Sequence, residues 1–218
     1  MDLDPSFVAF APLGGRHVNH LWKLLSDLEI PVITLLDFDL GRHNAGPMRL
    51  KYAYDQLGEI KAFRVPEWVK GDPDTSKYWK GRREKGIRKW LEWFAKQCVF
   101  FSYPLDLDMM LLRAFPDAYG VPNADVPDKL AKLKASIFGK GAGMAAYQAK
   151  APEAEHPSDE ELATYDDLFN RRSKPASHLG AFGQLSDDEI REECPAPLRG
   201  LIEKAGEILS WRPAQGME

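Results

Sequence analysis

The chain has 218 residues, 44% of them hydrophobic, and a formal net charge of -4. That is enough apolar side chain to bury a sizeable core, which excludes a disordered chain, and the mild negative charge excludes a globally basic nucleic-acid binder, so a nucleic-acid surface would have to be a local cluster of Lys and Arg. Two distant cysteines, Cys98 and Cys194, make no disulfide framework, the opening carries no signal-peptide pattern, and no apolar run approaches the roughly 20 residues of a membrane span, so a cytoplasmic protein without a membrane partner is expected.

The first third alternates strand and helix. "SFVAFA" (6–11) reads as a strand, "PLGG" as a turn built on Gly14 and Gly15, and "HVNHLWKLLSDL" (17–28) as a helix with Val18, Leu21, Trp22, Leu25 and Leu28 on one stripe. A second strand begins at Pro31, so the segment predicts a βαβ unit with parallel strands. "AGPMRLKYAYDQLG" (45–58) then predicts a helix with Pro47 in its first turn and Gly58 as its stop.

The second strand, in "PVITLLDFDLGRHNAG" (31–46), ends in two carboxylates, Asp37 and Asp39, with Gly41 just beyond. Unpaired buried anions cost several kcal/mol, so the pair is expected at the strand's mouth, facing water, a cation or a partner, where open α/β sheets usually build their sites. The segment 67–86 is charged, rich in Trp and broken by Gly and Pro, an excursion from the sheet. "KYWKGRREKGIRKWLEWFAKQ" (77–97) interleaves Lys80, Arg82, Arg83, Arg88 and other cations with aromatics, a composition suited to phosphates and bases. The same residues also fit an amphipathic helix that buries Ile87, Trp90, Leu91 and Phe94 under a solvated basic face.

"CVFFSYPLDLDMMLLRAF" (98–115) repeats the acidic pattern: a strand at 98–101, a loop, then a helix whose first turn holds Asp106 and Asp108. Such anions favour a helix N-terminus by themselves. Four carboxylates at two strand ends also repel one another unless a divalent cation neutralises them, and oxygen ligands suit Mg²⁺ or Mn²⁺. Beyond them "VPDKLAKLKASIF" (126–138) is amphipathic and 139–161 reads as a flexible bridge. Ser158 with Glu161, and Ser186 with Glu189, form capping-box patterns that open helices. His17, His20 and His43 read as polar surface or loop residues. On this reading residues 1–120 form an α/β core with the basic excursion at 67–97, and residues 121–218 a mostly helical part packed on it.

"TLLDFDLGRHNAG", "FFSYPLDLDMMLL" and "RRSKPASHLGAF", in that order, resemble the C-terminal Toprim nuclease region of the OLD-family (overcoming lysogenization defect) ATP-dependent endonucleases. The resemblance implies a small parallel-sheet α/β domain with a helical insertion that cleaves DNA with two Mg²⁺ or Mn²⁺ ions, joined to an ATPase module in the same protein or a partner chain, with a homodimer as one assembly. It implies that Asp37 and Asp39 are the Asp-x-Asp metal pair, Asp37 bridging the metals. Asp106 and Asp108 would be the second metal-binding pair, and Lys174 the lysine that assists at the transition state. The family's upstream strand and catalytic glutamate have no counterpart before "SFVAFA", so the chain reads as a piece whose nicking is weak alone and needs Mn²⁺. An apolar strand followed by Asp-x-Asp also resembles haloacid dehalogenase-like phosphatases, in which Asp37 would be the nucleophile and Asp39 the acid/base. A binding remnant without catalysis is the third reading.

Overall fold

A computed structural model describes residues 8–12, 18–60, 84–127, 130–139 and 143–210. Among the described residues the chain is α/β and mainly helical, built on a two-stranded parallel sheet. Helix α1 (Val18–Asp27) leads to strand β1 (Thr34–Asp37); helices α2 (Pro47–Ile60) and α3 (Glu84–Lys96) lie in sequence between β1 and strand β2 (Val99–Ser102). The register pairs Thr34 with Val99 and Asp37 with Ser102, so both strands point their carboxyl ends the same way.

The sequence of β2, Val-Phe-Phe-Ser, is apolar on both pleat faces because both are covered. Phe101 meets Phe94 of α3 edge-on at 5.4 Å. On the opposite face Phe100 lies against helix α10 (Ala196–Ser210), where a Cβ on Gly200 would come 3.2 Å from the Phe100 ring. The predicted apolar stripe of α3 is buried as expected at Ile87, Trp90 and Phe94, each 0% exposed. Tyr54 of α2, Trp90, Trp93 and Phe94 then interlock as an aromatic cluster. Trp22 of α1 reaches the sheet by donating its indole N–H to Thr34 Oγ1 at 2.8 Å.

After β2 come helix α4 (Leu107–Ala114), α5 (Leu130–Phe138), α6 (Gly143–Gln148) and α7 (Asp159–Tyr165); a π-helical turn (Asp166–Arg171) continues α7, and α8 (Lys174–Phe182) and α9 (Asp187–Glu192) precede α10. Both predicted capping boxes form, at Ser158 with Glu161 and at Ser186 with Glu189.

Three expectations are corrected. Residues 8–12 are outside the sheet, Ser6 and Phe7 are outside the described residues, and the parallel pair is β1 with β2. Gly58 does not stop α2, which runs on to Ile60; anchoring by buried Leu57 offsets the roughly 1 kcal/mol cost of a helical glycine. The stretch read as a flexible bridge contains α6, held because Tyr147 is 1% exposed, packs on Phe138 and donates its hydroxyl to the Glu155 carbonyl at 2.8 Å.

Candidate functional site

The site lies at the carboxyl ends of β1 and β2. Beyond the last ladder pair the two chains stay joined by backbone hydrogen bonds, from Asp39 N to Leu105 O and from Leu40 N to Pro104 O, which draw the 37–42 loop against the start of α4. Gly41 lets the same loop lie against the start of α6: its φ is +87°, and a Cβ there would stand 2.6 Å from the Gly143 carbonyl oxygen.

Asp37 is exposed, at the tip of β1. Its Oδ1 accepts from Ser102 Oγ at 2.9 Å and from the Leu107 amide at 3.2 Å, so its carboxylate sits on the first turn of α4, beside the backbone between Asp106 and Asp108. Among the described residues its Oδ2 has no partner.

Asp39 is different. Its φ of +56° is a left-handed conformation that Asp tolerates better than most residues, and it turns the side chain inward to 7% exposure. There it pairs with Arg42 through one oxygen and with Arg49 at 2.8 Å through the other.

Asp106 caps α4, accepting from Met109 N at 3.0 Å through Oδ1. Its Oδ2 accepts from the Tyr165 hydroxyl and lies 2.9 Å from Arg42 Nη2. Burial pushes the Asp106 carboxyl above its ordinary range while Arg42, Tyr165 and the Met109 amide pull it back. For Arg42 the balance is reversed: burial lowers it, but Asp106, Tyr165 and Asp39 together raise it, so the guanidinium remains charged. Arg42 also donates Nε to the Ile137 carbonyl at 3.0 Å.

Asp108 is held from α8. Lys174 Nζ bonds Oδ2 and His178 Nε2 lies 3.0 Å from Oδ1. Burial would raise Asp108, yet these bonds outweigh it and hold the carboxyl below its ordinary range. Lys174 and His178, four residues apart on α8, share one helix face.

Four of the residues singled out from the sequence, Asp37, Asp106, Asp108 and Lys174, thus come together at one edge of the sheet, with Asp39 turned beneath them. The carboxylates do not all point at one centre: among the described residues no three His, Cys, Asp or Glu side chains converge as a ready cation site. Lys80, Arg82 and Arg83 lie outside the described residues, as do His17, Gly14 and Gly15. Arg88 is exposed on α3 and stacks its guanidinium 5.6 Å above the Tyr103 ring, in the loop that leads to Asp106. His20 and His43 are exposed, as expected of surface residues. No helix among the described residues is long and apolar enough to cross a membrane.

Sequence reasoning did not single out Arg42, Arg49, Tyr165, His178 or Tyr119, whose hydroxyl lies 2.6 Å from His178 Nδ1. The spacing of Asp39 and Arg42 by three residues, and of Lys174 and His178 by four, carried a signal for two of them. Tyr119 and Tyr165 reach the site only through the tertiary fold.

Comparison of the chain with protein-family models, with curated proteins and with solved structures finds no match.

Proposed function

We propose that the chain is a Toprim-type phosphodiester hydrolase domain that acts on DNA with Mg²⁺ or Mn²⁺. The observation that supports this reading is the convergence of three motifs remote in sequence. Asp37 bonds the Leu107 amide 70 residues away, and Lys174 bonds Asp108 66 residues away. An exposed carboxylate, a second carboxylate and a half-exposed lysine at the mouth of a parallel sheet are parts that phosphoryl hydrolysis can use.

The donor set fits a hard divalent cation in part. Asp37 offers an exposed oxygen, and Asp108 offers Oδ2 once Lys174 moves aside, which its 52% side-chain exposure permits. Asp39 and Asp106 are engaged by Arg42 and Arg49, so on this reading they support the site through the arginines. When bound, the cation supplies a polarised water and offsets charge on the phosphoryl oxygens. Lys174, if freed from Asp108, would neutralise charge that develops on a phosphate, and Arg88, exposed beside Tyr103, would meet the DNA backbone. Because Lys174 already occupies Asp108 Oδ2, a cation held there would compete with it, and weak binding with slow nicking is expected.

The phosphatase reading needs Asp39 as an acid/base with a free oxygen, and both of its oxygens are in ion pairs.

The test is Mn²⁺ binding followed by the loss of free-ion paramagnetic signal, together with nicking of supercoiled plasmid. Asp37→Asn should weaken Mn²⁺ binding by at least roughly tenfold, about 1.4 kcal/mol. Lys174→Ala should strengthen Mn²⁺ binding, because the ammonium no longer competes for Asp108 Oδ2, and lower the slow Mn²⁺-supported nicking by roughly 10²- to 10³-fold. Binding that is indifferent to Asp37→Asn, or nicking that survives both substitutions, overturns the reading.

A further inference from the structure

A cavity of about 440 Å³ opens between the segment that follows α4 and the junction of α7 with its π-helical turn. Asp37, Asp106, Asp108 and Lys174 do not line it, and its volume falls within the roughly 300–1,000 Å³ of small-molecule sites. Its apolar wall is fixed by the core, since Tyr119, Leu133 and Ala163 are all buried.

The charges in the lining do not balance. Among the described residues they are Asp125, Asp166, Asp167 and Arg171. Arg171 is committed to Asp166, with Nη2 2.8 Å from Oδ2, so these two cancel. Asp167 pairs with Arg172 at 2.6 Å, but both members are well exposed, and such a pair exchanges readily. Asp125 is exposed and has no ion pair or hydrogen bond among the described residues. Thr164 adds a second, independent observation. It lines the same cavity and is 7% exposed, yet its hydroxyl has no hydrogen-bond partner among the described residues. Buried hydroxyls are ordinarily paired, and a helical Thr has two favoured χ1 positions, so this one can turn to a donor that enters the cavity.

These features select by charge. A phosphate or carboxylate would meet Asp125 and Asp167 with Arg171 already engaged. An uncharged apolar molecule would desolvate Asp125 and leave Thr164 unpaired. A bare metal ion lacks a converging donor set, because no three His, Cys, Asp or Glu side chains gather among the described residues. A donor-rich head on an apolar body satisfies both halves of the lining.

We propose that this cavity binds a small organic cation, an ammonium or guanidinium group carried on an apolar body, with its head at Asp125 and Asp167 and its body against Leu133 and Ala163. The inference goes beyond the nuclease reading and does not rest on it.

The test is titration of the full chain with 2-phenylethylammonium, followed by amide ¹H–¹⁵N chemical shifts. Phenylacetate, with the same ring and the opposite charge, and ethylammonium, with the head alone, serve as comparators. The 2-phenylethylammonium ion should bind in the roughly millimolar range or tighter, with shift changes gathered at residues 119–127 and 163–171, and both comparators should bind at least roughly tenfold more weakly. Asp125→Asn, which removes no contact made among the described residues, should weaken binding roughly threefold to tenfold. Ala124→Trp, which fills the cavity from its half-buried edge, should abolish binding while circular dichroism shows the fold retained. If that variant does not fold, Asp125→Asn and the charge-reversed comparator still decide. Equal binding of phenylacetate, an affinity unchanged in Asp125→Asn, shift changes gathered at Asp37 instead, or no saturable binding overturns the proposal.

Discussion

Asp166 shows how a single carboxylate can tie two elements and make their union depend on pH. Its Oδ1 accepts from Ser136 of α5 at 2.8 Å and from Asn170 at 2.9 Å, and its Oδ2 accepts from Arg171 at 2.9 Å. Burial raises its pKa, but these bonds outweigh burial and hold it below the ordinary carboxylate range. A carboxyl whose folded pKa is depressed contributes stability that is complete above its unfolded pKa, near 4, and is lost as the pH falls through the lower folded value. Asp166→Asn should therefore cost about 1–3 kcal/mol at pH 7 in a urea melt, and the gap to the unaltered chain should close below pH 4. A gap that persists undiminished at pH 3 would assign the loss to packing. At this scale the sequence was a partial guide. It treated Asp37 and Asp39 alike, since residues i and i+2 of a strand share a face; the left-handed φ of Asp39 breaks that alternation and sends one carboxylate to solvent and the other to Arg42 and Arg49. A lone Asp in a sequence does not announce a positive φ.

Among the elements, the legible ones are those whose signal is local. The capping boxes at Ser158 and Ser186 are read from four residues each, and α3 from the 3.6-residue spacing of Ile87, Trp90 and Phe94. The two strands that pair were read to within a few residues, because each is a short apolar run followed by acid. What failed depended on partners. Residues 6–11 have the composition of a strand, yet composition does not supply a neighbour to pair with, and residues 8–12 stand outside the sheet. The Gly- and Ala-rich stretch containing α6 lacked the apolar periodicity of a helix, and one buried aromatic, Tyr147, was enough to anchor it. The π turn at Asp166–Arg171 has no sequence signature at all; it is an extra residue wound into the end of α7 that brings Asp166 under Arg171 and Phe169 under His178.

For the whole molecule the decisive residue is Arg42. One guanidinium touches the loop after β1 through Asp39, the cap of α4 through Asp106, α7 through Tyr165 and α5 through the Ile137 carbonyl. It joins the sheet side to the helical side through polar bonds alone. Arg42→Met leaves Asp106 buried without its counter-charge, and breaking one side of a buried pair costs about 3–5 kcal/mol. The melting midpoint should fall by the same amount when followed by tryptophan fluorescence, reporting Trp22, Trp90 and Trp93 on the sheet side, and by far-ultraviolet circular dichroism, reporting the helices. Two separated transitions would show that the halves unfold independently and that Arg42 is a surface tether.

The parallel ladder also sets a timescale for how the chain reaches this state. Its strands are held by only four register pairs, and Asp37 and Ser102 are 65 residues apart, so a long loop must close before the first ladder bond forms. Helices α2 and α3, 14 and 13 residues long, form from local contacts in the meantime and dock their aromatics first. The sheet is therefore expected to assemble after the rate-limiting barrier, with refolding on the millisecond-to-second scale. Val99→Ala, which removes two buried methyl groups worth about 1.6 kcal/mol, should accelerate unfolding in stopped-flow experiments and leave the refolding rate nearly unchanged, whereas equal slowing of refolding would put the ladder in the nucleus. Late closure means that the sheet edge carrying Asp37, the last part to be stitched, is also the first to open, so that local unfolding at Asp37 and Lys174 precedes loss of the aromatic core.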